Sequence, residues 1–257
     1  MVVSTAQEVR YSRPYGLAIT VGLIAYGLVY LLIALIAVQL AFGHAQQEAT
    51  QQGALEELAG TPFGHLLLWI VAIGLFALVI WRVLELVWGH LKLQKKLSSI
   101  GRGIVYLVLG ISAVKVANGA GASSSGTQRT MSARVMEHPA GRVLIVAIGV
   151  AIIAIACYQL YKAYSKNFTE DLAGGISDVT ILLGRIGYAA KGIAFLVMGV
   201  MFGWAAISYD PQKAGGLDTA LHTIKDQPFG TVLLAVLAAG IACFGLYCFI
   251  WSCNARR

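Results

Sequence analysis

Gly103-Ile-Val-Tyr106-Leu-Val-Leu-Gly110 decides the fold, because the chain says nearly the same thing twice more, at Gly27-Leu-Val-Tyr30-Leu-Leu-Ile-Ala34 and Gly192-Ile-Ala-Phe195-Leu-Val-Met-Gly199. The shared pattern is a glycine, an aromatic three residues on, then leucine, then a small residue seven on from the glycine. In a helix, positions i, i+3 and i+7 fall on one face. Three hydrophobic helices therefore carry the same small–aromatic–small stripe. Gly27, Tyr30, Gly103, Tyr106, Gly192 and Phe195 read as a repeated helix-packing set, in which small residues admit a neighbouring backbone and rings fill the gaps beside them. The competing reading lines a central ligand cavity with the same rings. Gly199-Val-Met-Phe-Gly203 adds a further small pair at helical spacing.

Outward from these stripes the chain stays apolar. Its 257 residues are 58% hydrophobic and only 12% charged, against about 25% charged in a soluble domain. The mean hydropathy is +0.74. Long apolar runs separated by polar loops place the chain in the membrane class. Strand-type alternation is absent, so the spanning elements are helices and not the strands of a barrel. Six are expected, near 16–42, 63–88, 98–118, 139–162, 180–207 and 228–251. The first is far longer than the about 7–15-residue apolar core of a secretory signal and reads as a retained span. The net charge of +7 does not point to nucleic acid, because the basic residues flank apolar segments and do not cluster on a soluble domain. Cys157, Cys243, Cys248 and Cys253 form no C-x-x-C pair and read as small buried hydrophobes.

The six helices divide into three tandem units. Gly27 to Gly103 is 76 residues and Gly103 to Gly192 is 89. Pro62-Phe63-Gly64, Pro139-Ala140-Gly141 and Pro228-Phe229-Gly230 open the second helix of each unit. The aromatics Trp81, Tyr158 and Tyr247 each lie 17 residues beyond those glycines. Thr61-Pro62 reads as an N-cap followed by proline at the first helical position. A short interfacial helix around Ala54-Leu55-Glu56-Glu57-Leu58 has its counterpart at Ala220-Leu221 and Ile224. Gly121-Ala-Ser-Ser-Ser-Gly126 has the glycine spacing of a phosphate loop without its lysine, so the middle loop reads as a flexible linker. Each unit crosses twice, so all three share one orientation. The side holding both termini and the inter-unit connections carries 13 Lys and Arg, the other side 6. The positive-inside rule then puts both termini in the cytoplasm.

With its three tandem hairpins, odd helices reading Gly-x-x-[Tyr/Phe]-Leu and even helices opening with Pro-Phe-Gly, the chain resembles the bacterial membrane proteins classed as domain of unknown function 1206, found largely in actinobacteria. The resemblance runs from about Ser12 to Trp251 and rests on phrases such as Gly184-Arg-Ile-Gly-Tyr-Ala-Ala-Lys-Gly192 and Pro62-Phe-Gly-His-Leu-Leu-Leu-Trp69. The middle unit departs most, with Ala140 in place of Phe. The resemblance implies a six-helix plasma-membrane protein and supplies no activity. Mitochondrial carriers share the repeat number, but their Pro-x-[Asp/Glu]-x-x-[Lys/Arg] helix ends do not occur here.

Few residues are candidates for chemistry. Arg82 and Glu85 lie at i, i+3 on the second helix, either as an interfacial pair with Arg82 snorkelling to headgroups or as a polar site between helices. Lys191 and Arg102 directly precede the repeated glycines, and Tyr26 holds the same place in the first unit. These groups either anchor the chain at the cytoplasmic surface or bind an anionic lipid headgroup or carboxylate. His44, His65, His138 and His222 occupy non-equivalent repeat positions without a metal-ligand spacing. No catalytic residue, metal or cofactor is expected, and no nucleophile elbow, zincin signature or nucleotide fingerprint occurs.

The sequence thus predicts an all-α polytopic membrane protein, one integral domain of six transmembrane helices in three two-helix repeats, about 12–90, 98–164 and 180–252. The expected location is a bacterial plasma membrane. The function expected first is that of a non-enzymatic component binding a membrane protein partner, a second copy or lipid. The alternative is a small transporter or lipid-handling protein with a site among Tyr30, Tyr106, Arg82, Glu85 and Lys191.

Overall fold

Each apolar run becomes a helix. The computed structural model describes residues 13–45, 47–88, 93–119, 132–135, 139–172, 177–208, 210, 213–214 and 216–254. The long helices are α1 (Arg13–Ala41), α3 (Gly64–Trp88), α4 (Leu93–Ala117), α5 (Pro139–Ser165), α6 (Asp178–Ser208) and α8 (Gly230–Cys253). Two shorter ones, α2 (Gln51–Ala59) and α7 (Leu217–Lys225), fall where the short interfacial pair is expected. Among the described residues there is no strand. Lipid offers no hydrogen-bonding partner, so a spanning chain must satisfy its backbone internally, which a helix does. All six long helices are long and apolar enough to cross a membrane.

The prolines correct one expectation. Pro139 is the first residue of α5, but Pro62 and Pro228 precede α3 and α8 by two residues, within the turn that joins a short helix to a long one. Thr61 is accordingly not an N-cap: its hydroxyl donates to the Leu58 carbonyl at 2.7 Å. The turn is tight enough to dictate the glycine that follows. A Cβ at Gly64 would collide with the carbonyl of Leu58, one at Gly230 with that of Lys225, and one at Gly141 with that of Val135. The Pro-x-Gly phrase is therefore a packing requirement at the head of each second helix. Phe63 and Phe229, 73% and 84% exposed, project at the helix ends where aromatic side chains anchor at a membrane interface.

The extensive helix interfaces run between units. α4 packs on α3, α6 on α5 and α1 on α8, so the first helix of every unit lies against the second helix of another. The glycine stripe explains why. A Cβ on Gly27 would stand 2.9 Å from the Gly245 carbonyl, and one on Gly192 would stand 2.7 Å from Leu160. Gly103 is looser, with 3.6 Å to the Cβ of Arg82. Within units, α1 packs on α3 and α6 on α8. The middle unit differs: among the described residues α4 and α5 share no comparable interface. The helices therefore follow one another in the order α4, α3, α1, α8, α6, α5. In the outer units α2 and α7 bridge the hairpin they belong to, whereas most of the middle connection lies outside the described residues. Burial follows this order, with 61% of the α1 span enclosed and only 17% of the α5 span.

A 3-10 turn, Asn167–Asp171, follows α5. It buries Phe168 completely and presents its carbonyl to the Tyr247 hydroxyl at 3.2 Å. The sequence reading gives only a mixed-charge connection here.

Gly230→Ala is expected to lower stability by about 1–3 kcal/mol through overpacking against the end of α7. Gly101→Ala serves as the control, since it is helical with nothing within 4 Å of the new methyl and should be neutral or stabilising by about 0.5–1 kcal/mol. Thermal unfolding of the two variants in detergent compares them directly. Equal midpoints would remove the packing account of the repeated Pro-x-Gly.

Candidate functional site

Because α1 lies on α8 and α8 on α6, the aromatic faces of these helices meet, and α4 adds a further ring. Tyr26 and Tyr30, one turn apart on α1, form an edge-to-face pair at 4.9 Å. Tyr26 also meets Tyr106 of α4 at 5.2 Å, and Tyr30 meets Phe244 of α8 at 4.8 Å. Tyr188 of α6 reaches the same Phe244 at 5.2 Å. Such pairs contribute about 0.5–1.5 kcal/mol each beyond their burial. The hydroxyls form a short chain: Tyr26 donates to Tyr30 at 3.2 Å, and the Gln51 amide of α2 donates to the same oxygen at 3.3 Å.

Lys191 sits inside this cluster. Its ammonium lies 3.8 Å from the Phe244 ring centroid, 4.4 Å from Tyr30 and 5.7 Å from Tyr26, and the residue is 6% exposed. It lies 13 residues into the 31-residue α6, about 20 Å along the helix at 1.5 Å per residue. The side chain is therefore enclosed near mid-span, where the anchoring reading would have it reach a headgroup layer. The cause is the close approach of α6 to α8: a Cβ on Gly187 would stand 2.6 Å from the Phe244 Cα. That proximity aims Lys191 at aromatic faces, and a desolvated cation over such a face gains about 2 kcal/mol.

Arg82 is enclosed too, at 3% exposure. Its guanidinium stacks 4.2 Å from the Trp81 ring and engages the Tyr106 hydroxyl, which also feels the charge of Arg102. The side chain of Glu85 lies outside the described residues, and with it the expected Arg82–Glu85 pair. Gly27 and Gly192 are buried at helix crossings, Gly103 and Phe195 are half-buried, and Tyr30 and Tyr106 are enclosed. Of the candidate residues, Lys191 and Tyr30 are in direct contact, and Tyr106 joins them through Tyr26. Phe244 and Gln51 are missed by sequence reasoning. Phe244 has no aromatic at the equivalent place in the other units, where Leu78 and Ile155 stand, so the repeat gives it no signal. Lys162, 4% exposed and 5.1 Å from the Tyr188 ring, is missed as well.

Beside Lys191 lies a small cavity of ≈ 20 Å³, bounded by Tyr30, Gln51, Phe195, Leu217 and Ile241. The short helices close its far side and are latched to each other. The Asp218 carboxylate of α7 accepts the Ala49 backbone N–H at 2.8 Å and lies 3.4 Å from His222 Nδ1. The hydrogen bond to that carboxylate raises the His222 pKa above its ordinary 6.5, against partial burial, which lowers it. Among the described residues no three His, Cys, Asp or Glu side chains converge.

The geometry is that of a multi-pass helical membrane protein with a basic side chain enclosed by aromatic rings. The chain belongs to the family described as Domain of Unknown Function (DUF1206), whose model matches it three times, at 21–89, 97–166 and 186–254. The three matches coincide with the three helix pairs. It is also similar to a protein of Bacillus subtilis (strain 168) called Uncharacterized protein YxxB, at 32% identity over 238 residues, covering 88% of this chain and 86% of the relative. No solved structure matches.

Phe244→Ala should cost about 3–5 kcal/mol, because it opens a core cavity and strips Lys191 of its nearest ring; thermal unfolding in detergent measures it. A second expectation concerns pH. A histidine pKa raised by folding adds stability that is fully present below the unfolded value and is lost as pH rises through the folded one. The wild-type unfolding midpoint should therefore fall as pH is raised above the ordinary histidine value of 6.5, and His222→Gln should remove that part of the slope. An unchanged slope would show that the Asp218 pairing does not couple to stability.

Proposed function

We propose that this chain is a non-enzymatic component of a bacterial plasma membrane, and that its open side, between α4 and α5, receives a transmembrane helix of a partner protein. The observation that carries the reading is the surface of α5. On this least-buried helix, Ala147, Ala151 and Ala154 are exposed along one face at i, i+4 and i+7, flanked by exposed Val143, Val150 and Ile155. Small residues at that spacing let a second helix approach closely, and fluid acyl chains need no such stripe. Among the described residues α4 and α5 share no comparable interface, which supports the same reading, since the two ends of the helix row belong to one unit.

A transport function would need a polar passage among the helices. Beside Lys191 the space amounts to ≈ 20 Å³, and rings from α1, α4, α6 and α8 fill the rest of the centre, which weighs against that alternative. The excess of Lys and Arg on the side of both termini supports a cytoplasmic placement for them.

A photo-crosslinking residue at Ala151, with Ile80 on the exposed face of α3 as control, tests the proposal in native membranes. The expected result is a discrete protein adduct from position 151 and none from position 80. An adduct of twice the protomer mass would make the partner a second copy. Lipid adducts alone from both positions would overturn the reading. For topology, a fluorescent-protein fusion at the C-terminus should fluoresce, and a periplasm-dependent phosphatase fused after Gly43 should be active; the reverse pattern would invert the orientation.

A further inference from the structure

We propose that the cavity beside Lys191 is a binding site for a small monovalent anion of chloride size. The inference stands apart from the docking of a partner on α5, because it rests on the interior of α1, α6 and α8. Two hydrogen-bond donors border this cavity with nothing to accept from them. An ammonium carries three N–H groups, and among the described residues the contacts of the Lys191 Nζ are ring faces: Phe244, Tyr30 and Tyr26. The Tyr30 oxygen already accepts from Tyr26 and from Gln51. Among the described residues no hydrogen bond donated by the Tyr30 hydroxyl is present, which leaves its proton available to the cavity.

The cavity's contents follow from that donor set. The ≈ 20 Å³ of space exceeds the about 10–15 Å³ that one water needs. A space little larger than one water needs leaves no room for a phosphate or a lipid headgroup. The remaining walls, Ala194, Phe195, Leu217 and Ile241, are apolar. A water placed there could offer a proton to the Gln51 amide oxygen but would leave the ammonium charge without a counter-charge. A halide only accepts, and it neutralises an ammonium held away from water, where an isolated charge is costly. Other nearby groups do not supply the counter-charge. The Asp218 carboxylate, next in sequence to Leu217, is engaged by the Ala49 N–H and His222. The Cys248 thiol senses the Lys191 charge, but sulfur is a weak acceptor. Gln51 of α2 and Leu217 of α7 are both half-buried, so the entry route runs between the short helices and avoids the lipid-facing walls.

The test is calorimetric titration of sodium chloride into the full-length detergent-purified chain held in gluconate buffer. Saturable binding of one chloride per chain is expected, with bromide competing and sulfate failing to compete because of its size. Lys191→Met keeps the side-chain volume and removes the charge, and should weaken chloride binding by about tenfold or more. Tyr30→Phe should weaken it severalfold, with unfolding midpoints confirming that both variants fold. Absence of saturable chloride uptake by the wild-type chain would overturn the proposal. So would unchanged affinity in a folded Lys191→Met chain, or equal uptake of sulfate. If Lys191→Met does not fold, the wild-type selectivity and the Tyr30→Phe titration decide the matter.

Discussion

Where α1 crosses α8, Gly27 faces Gly245 and no side chain separates the two backbones; a Cβ there would stand 2.9 Å from a carbonyl oxygen. Near one end of the same crossing, the Thr20 hydroxyl donates to the Ser252 carbonyl at 3.2 Å. In lipid there is little hydrophobic drive between helices, so association rests on this kind of close van der Waals fit. The centre of the molecule depends on it. Tyr26 and Tyr30 arrive on α1, Phe244 arrives on α8, and Lys191 finds its ring faces only because those two helices are in contact. Widening the crossing by a side chain would separate the rings and leave a cation facing empty space.

The cost of that cation frames the rest of the interior. Removing an ion from water costs several kcal/mol even after relaxation, while a well-placed ring face returns about 2 kcal/mol. Three faces at 3.8, 4.4 and 5.7 Å therefore offset a good part of the penalty without contributing a hydrogen bond. Arg82 follows the same logic on α3, using Trp81 as its platform. Around Lys191 the sequence places aromatic residues where a soluble protein would commonly place a carboxylate.

Much of the fold was legible because it is written in periodicities that lipid enforces. Six apolar runs, the offset of the repeated glycines and the Pro-x-Gly phrases each report a constraint local to one helix or turn. What lies between helices was less legible. The sequence does not say that Gly27 belongs against Gly245 and not against a residue of its own hairpin, and so it suggests three equivalent pairs where the middle pair is open. Lys191 illustrates the limit at the site. Its position before a repeated glycine was visible, but its burial depends on Gly187 admitting the Phe244 backbone, a contact between distant stretches of chain. Phe168, a lone aromatic in a charged connection, was a readable signal that composition alone masked.

The arrangement of neighbours also has a history in time. Membrane helices emerge and insert in chain order, and α1 comes before all the others. Its most extensive interface is with α8, and the hydrogen bond at their crossing joins residues 232 positions apart. While the intervening helices are being made, the Gly27 groove and the rings of Tyr26 and Tyr30 are without their main cover. The newborn chain must hold this unfinished seam in lipid until α8 arrives, so the closure between α1 and α8 waits on every spanning helix that lies between them in the chain.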